Sequence, residues 1–499
     1  MKRLILLRPH SIIYFLQNIL GQKLLKKSTS YQKMRLDFFD NFWYKRCGRN
    51  MWYYVVGVIY IFIFYILLAA NNSALASHNL SFIRDAETEK FLHDIETPII
   101  RAANLNINDI KVYIVNDREI NAFVSNGQNI FVNTGLVRKF NTPDALIGVL
   151  AHETGHIAAG HIARNSEQAQ DISKQMIISY LLGIGAMLGG QGDIGSAVIF
   201  GSIQSYQGLY IKYSRGQEEA ADKLAVNYLD KIQYPATGLL NLLQSFKRDE
   251  IGIKNQEINE FYQSHPITTK RIDFIKSHIE LTRFDDTKIN QPLLKQMSWV
   301  LVKLEAFIDN PDQLVSKYQN LKDSDLKFYG LSIAYYRLGK TNQAIKNIDK
   351  VIANNPGNGF LYELKAQILF ESGDIVDAVL NYHQAIKLIA KKDNFLIRIS
   401  LSNAIIALNS NDQELLQLAI SYLKSALIEE NDNPLIFRSL AAAYSQIGDK
   451  GRYYLALADF NLLIGSKETA IKFAKLAKES LEKNAVGDLM HADDINSAK

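Results

Sequence analysis

The segment Ala151-His152-Glu153-Thr154-Gly155-His156 lies in a run from Ala145 to His161 whose other residues are mostly small and apolar. No other stretch restricts the fold so strongly. On a helix of 3.6 residues per turn, His152 and His156 share one face, with Glu153 about 100° round from His152. The apolar flanks mark a helix that is buried, and a buried His-Glu-His set is costly unless other polar groups or an ion answer it. The chain must therefore fold so that something polar meets this helix. HExxH is the spacing at which two imidazoles reach one zinc ion while the glutamate serves as general base.

Catalytic zinc takes three protein ligands, and the candidate third is in Ser214-Arg215-Gly216-Gln217-Glu218-Glu219-Ala220-Ala221-Asp222. As a helix, this segment places Glu218 and Asp222 one turn apart on a common face. Glu218 can then ligate while Asp222 bonds the outer ring nitrogen of a ligand histidine. Glu219 points elsewhere, as a surface carboxylate. Taken alone, the acidic run is also what a solvated helix start looks like.

HETGH followed by S-R-x-x-E-x-x-A-D resembles the gluzincin peptidases related to HtpX and the CAAX prenyl endopeptidases. Asn121-Ala122-Phe123, then Gly127, Ile130, Val132 and Gly135-Leu136, are similar to that family's N-A-F-x-x-x-G-x-x-I-x-V-x-x-G-L signature. The resemblance spans roughly Ala86 to Ile275. It implies an α+β zincin-like metallopeptidase domain, mainly helical with a small sheet. It further implies one zinc ion held by His152, His156 and Glu218, with Glu153 as base and Asp222 supporting a ligand ring. In the periplasmic relatives a His-Pro loop follows the ligands. Here that loop is Ser264-His265-Pro266, where His265 either caps the metal, stabilises an oxyanion or simply caps the next helix, and Arg271 braces it. His161 is expected as a structural histidine, not a ligand.

Lys111 to Val115 and Asn129 to Asn133 are rich in β-branched and aromatic residues, and Asn126-Gly127 is a turn just before the second run, so a hairpin is expected here. An edge strand beside the zinc helix would pair with an extended peptide backbone. Which strand lies at the edge is not readable from the sequence.

Lysine and arginine total 56 against 51 acidic residues in 499, but residues 1–50 hold eleven basic and two acidic side chains. That leaves 45 basic against 49 acidic, and no electrostatic case for nucleic acid. Cys47 is the only cysteine, which excludes disulfides, thiol nucleophiles and zinc thiolates beyond residue 50. Trp52 to Ala70 is almost wholly apolar, follows Lys45, Arg46 and Arg49, and leads into Ala74-Leu75-Ala76. This reads as an export signal cleaved after Ala76, with an uncleaved inner-membrane anchor as the competing reading. Either way the peptidase lies on the far side of the membrane from the basic flank, so a periplasmic location is expected. The basic extension over 1–50 is unusual for a signal, and a start at Met34 or Met51 accounts for it. Met176 to Leu188 and Ile194 to Ile211 are glycine-interrupted apolar stretches, read as core helices or as a lid or membrane-facing loop.

From about Asp325 the pattern becomes helical hairpins with a repeat. Gly339 and Gly373 are 34 apart, as are Ala344 and Ala378 and Val351 and Ala385, with Pro356 as the terminating proline of the first unit and Tyr382 in the second. A third, looser unit uses Ala419, Leu423 and Ala426 after an insertion of seven. A 34-residue period resembles tetratricopeptide (TPR) repeats, which stack into an all-α solenoid with a groove for peptides or partners. The expected organisation is a basic extension over 1–50 and a signal or anchor over 51–76. The peptidase domain follows over 77–290, a helical linker over 291–325, the TPR solenoid over 326–484 and a frayed tail over 485–499. Joined in this way, the parts resemble periplasmic proteases of β-barrel assembly. The resemblance implies a zinc metalloendopeptidase in outer-membrane protein quality control, acting on unfolded or assembling proteins near the membrane and docking clients or assembly machinery through the solenoid. Two other readings stand beside it: a TPR chaperone or scaffold with a latent protease site, and a membrane-embedded protease.

Overall fold

The computed structural model describes residues 82–125, 128–161, 213–252, 264–282 and 291–497, all within the compact unit His78–Lys499. The expected extension, the signal or anchor, and the apolar stretches 176–188 and 194–211 lie outside the described residues.

The first part of the described chain opens with β1 (Phe82–Ile83) and α1 (Ala86–Ala102). The Asp85 side chain caps α1 by accepting from the Thr88 N–H at 2.8 Å, which satisfies one of the donors a helix start leaves open. Strands β2 (Val112–Val115), β3 (Ala122–Ser125) and β4 (Asn129–Asn133) complete a four-stranded sheet of order β1-β2-β4-β3. The expected hairpin is β3 with β4, antiparallel with Phe123 opposite Phe131. The run 111–115 instead lies parallel to β4, Tyr113 beside Phe131. Alternation sets the two faces of the sheet. Ile114, Ala122, Val124, Ile130 and Val132 enter the main core, while Tyr113, Phe123 and Phe131 stack on the other face at 5.1–5.4 Å between rings.

After α2 (Thr134–Lys139) comes α3 (Pro143–Ala158), the HETGH helix, with proline in its first turn and almost every residue buried. Helices α4 (Arg215–Lys231) and α5 (Thr237–Gly252) pack against it, and α6 (Thr269–Thr282) packs on both of these. The start of α4 is a capping box, Ser214 and Gln217 each answering the other's backbone N–H.

The stretch expected as a linker holds α7 (Gln291–Ile308) and α8 (Pro311–Gln319), both packed on α9 (Asp325–Arg337). Hairpins follow: α9 with α10 (Thr341–Asn354), α11 (Gly359–Glu371) with α12 (Ile375–Leu388), α13 (Phe395–Ala407) with α14 (Gln413–Ala426), and α15 (Pro434–Ile447) with α16 (Lys450–Leu463). The first two hairpins start 34 residues apart helix for helix, at 325 and 359 and at 341 and 375. The looser third unit keeps the same internal contact. Ser332 Oγ donates to the Ala344 carbonyl at 2.9 Å, and Ser402 Oγ donates to that of Ala419 at 3.1 Å. The fold is thus an α+β domain of helices around a small mixed sheet, followed by an all-α tetratricopeptide-like array. After α17 (Lys467–Ser480), the expected frayed tail is corrected: Val486–Ser497 forms α18, with Ala492 and Ile495 buried against its neighbours.

One hydrophobic core runs from α1, the sheet and α3 through Trp299 and Leu304 of α7 to Tyr329, Ile348 and Leu364 of the array. Among the described residues no helix is long and apolar enough to cross a membrane.

Candidate metal centre

Glycine at position 155 decides how near the third carboxylate can come. A Cβ there would stand 2.7 Å from the Ala221 carbonyl oxygen, so α3 and α4 touch backbone to backbone at this point. That approach sets Glu218, one turn before Asp222, against the histidine face of α3. Glu218 Oε1 is 3.2 Å from His156 Nε2, and Oε2 is 3.4 Å from His152 Nε2. The two Nε2 atoms are themselves 3.1 Å apart.

His265 enters the same cluster from the loop before α6. Its Nδ1 is 3.0 Å from Glu218 Oε1 and its Nε2 is 3.7 Å from Glu153 Oε1. Ligand-type atoms of His152, His156, Glu218 and His265 all lie within 4.8 Å of one another, and all four residues are buried. The loop is tied down at both ends: the Ser264 carbonyl accepts from the Tyr213 N–H at 3.0 Å, and the Pro266 carbonyl accepts from Arg271 Nη1 at 3.1 Å.

Around these sits a second ring of charge. Asp222 Oδ1 is 2.9 Å from His152 Nδ1. Arg271, only 1% exposed, reaches Asp222 through Nε at 2.6 Å and Glu218 through Nη1 at 2.5 Å. Burial alone would push both carboxyls up. The charges of His265 and His152 overcome it at Glu218, and that of Arg271 at Asp222, and both carboxyls are held below their ordinary range. His152 is likewise desolvated, yet its bonds to Asp222 and Glu218 raise it to about 10, whereas burial takes His156 down to about 3. Glu153 is raised, burial being the largest cause.

Both Glu153 oxygens are fully buried and accept no hydrogen bond, an expensive state for a carboxylate. That orphaned group, beside two imidazole nitrogens and a carboxylate oxygen that converge, is a donor set that fits zinc.

All seven residues singled out in the sequence, His152, Glu153, His156, Glu218, Asp222, His265 and Arg271, therefore come together in one buried cluster. Glu219 stands outside it, paired with Lys270 at 2.7 Å. One neighbour escaped the sequence reading: Tyr213 stacks on His156 with ring centroids 3.7 Å apart and planes at 23°, and no motif announces it. His161, expected as a structural histidine and not a ligand, stands outside the donor cluster with its Nδ1 2.9 Å from His156 Nδ1.

Residues 86–279 match Peptidase family M48. Over 423 residues the chain is 21% identical to the beta-barrel assembly-enhancing protease of Escherichia coli (strain K12), the match covering 82% of each chain. It is 22% identical over 325 residues to the protein of that name from Yersinia pestis, covering 64% of this chain and just under two thirds, 66%, of that one. A protease HtpX homolog of Fusobacterium nucleatum is 28% identical, covering 46% of this chain and 84% of that one.

Proposed function

We propose that this chain, which carries a Peptidase family M48 domain over residues 86–279, is a zinc-dependent endopeptidase of the cell envelope. Its substrates would be misfolded or assembling envelope proteins, docked through the helical array. The observation that carries this reading is Glu153, a buried carboxylate without a hydrogen bond, set beside His152, His156 and Glu218. Most buried carboxylates are hydrogen-bonded; one left open beside three converging ligand groups is placed as a general base, which keeps its oxygens for the reacting proton.

His152, His156 and Glu218 would hold the ion. Zinc bound there supplies Lewis-acid polarisation of the peptide carbonyl. Glu153 takes a proton from the attacking water and delivers it to the leaving amine, a role suited to a carboxyl raised by burial. His265, 3.7 Å from Glu153, faces the reacting groups and would steady the developing negative charge or cap the ion at rest. Asp222 orients His152, and Arg271 balances the two acidic side chains while bracing the His265 loop. Strand β3 is an edge of the sheet among the described residues and packs on α3. An extended substrate would pair with it through main-chain hydrogen bonds.

Relatives named for β-barrel assembly support an outer-membrane quality-control setting, as does the export-type N-terminus read in the sequence. A second reading, a chaperone whose protease site is latent, draws on His265 standing inside the donor cluster. Glu153→Gln tests both. Loss of degradation of an unfolded client by about 10²-fold or more supports the enzyme; unchanged degradation removes Glu153 from the mechanism. Full support of client assembly by the same variant would favour the chaperone.

A further inference from the structure

We propose that His161 is a positioning residue that fixes which ring nitrogen His156 presents to a metal, an inference that rests on the metal-site reading above. On a continuing helix, residue 161 would lie well round from residue 156 and could not meet it. The helix does not continue. Gly160 takes φ +66°, and the chain folds back through a Schellman turn: the Gly160 N–H donates to the Ile157 carbonyl at 3.0 Å and the His161 N–H to the His156 carbonyl at 3.1 Å. This motif brings together the side chains of its third-from-last helical residue and the residue two beyond the cap, usually as an apolar contact. Here those two residues are His156 and His161, their rings 5.0 Å apart and inclined at 64°. The apolar contact has become an imidazole–imidazole hydrogen bond of 2.9 Å between Nδ1 atoms.

The tautomers follow from that geometry. His156 turns Nε2 toward Glu218 and His152, so Nε2 must be the unprotonated nitrogen if it is to ligate. Its proton then sits on Nδ1 and is donated to His161 Nδ1, which accepts and keeps its own proton on Nε2. Tyr213 closes one face of the His156 ring by stacking. Asp222 serves His152 in the same way, so each ligand histidine has its own orienting partner.

The test is zinc affinity of the purified full chain, measured by competition with a chelating dye, with thermal unfolding of the zinc-free protein as a check on folding. His161→Leu keeps the apolar contact of the turn and removes the acceptor; His161→Asn places an oxygen where Nδ1 stood; His161→Gln places it one bond further out. We expect Leu and Gln to weaken zinc binding roughly 10- to 100-fold, as loss of an orienting partner does. Asn should restore it to near the wild-type value, and all zinc-free proteins should unfold at similar temperatures. Wild-type affinity in His161→Leu overturns the proposal, and so does equal behaviour of Asn and Gln. Should the Leu variant not fold, the Asn–Gln comparison decides alone. Failure of the wild-type chain to take up zinc would overturn the metal-site reading itself, and this proposal with it.

Discussion

Glu96 and Asp222 show what burial does to a carboxyl with and without a counter-charge. Asp222, beside Arg271, stays ionised. Glu96, on the inner side of α1, is 2% exposed with no hydrogen-bond partner for Oε1, and burial pushes it up to about 8. A group raised in the folded state keeps a proton that the unfolded chain has already released. Its contribution to stability is therefore whole below pH 4.5 and is lost as the pH climbs through 8. Between pH 5 and 8 this residue should cost the native state roughly 3–5 kcal/mol. Glu96→Gln cannot titrate, so its melting temperature should fall less over that interval than the wild type's, both measured with chelator present. Parallel curves would show that Glu96 is ionised throughout. Nothing in the sequence marks this residue: Glu96 follows Ile95 as any surface glutamate might, and its burial follows from how α1 is oriented.

At the scale of elements, the site depends on the contact between α3 and α4. Gly155→Ala puts a methyl group 2.7 Å from a backbone oxygen of α4, and backbone cannot yield as a side-chain end would. The helices must part, carrying Glu218 away from His152 and His156. We expect a loss of about 1–3 kcal/mol in stability together with weaker zinc binding, read by thermal unfolding and dye competition. A stability loss with zinc affinity intact would show that the site tolerates the shift. Both helices were legible in the sequence, because HExxH and the S-R-x-x-E-x-x-A-D run fix side-chain positions by local geometry alone. The 34-residue spacing of Gly339 and Gly373 likewise gave the hairpins. Pairings that depend on distant partners were not legible. β2 lies parallel to β4 because the chain leaves β2, skips one strand position to the edge strand β3 and returns antiparallel as β4 between them, and the sequence carries no local sign of it. The last helix, Val486–Ser497, buries only Ala492 and Ile495, too little apolar periodicity to separate it from a tail.

Across the described residues, the α+β domain and the helical array are joined by charge as well as by the shared core. Arg84, just after β1, binds Glu89 and also Glu430 beyond α14, each at 2.6 Å, and lies over the Phe395 ring of α13 at 5.8 Å. Tyr329 of α9 donates to Glu87 of α1 at 2.7 Å. Lys303 of α7, 4% exposed, pairs with Asp85 and reaches Glu363 of α11 at 3.5 Å. The first turn of α1 therefore occupies part of the surface the array offers, and a client docked there would have to share or displace it. Because α1 also packs on α3, displacing it would disturb the HETGH helix directly. Arg84→Met tests how much of this joint is electrostatic. It leaves Glu430 buried and Glu89 half-buried without their cation, and removing one partner of a buried pair costs about 3–5 kcal/mol. The variant should melt earlier and show a larger radius of gyration by small-angle scattering. Adding Glu430→Gln removes one of the two stranded charges and should recover part of both effects, as expected for residues coupled in one network. If Arg84→Met matches the wild type in melting and in size, the core through Trp299 and Tyr329 holds the two parts together without help from these charges.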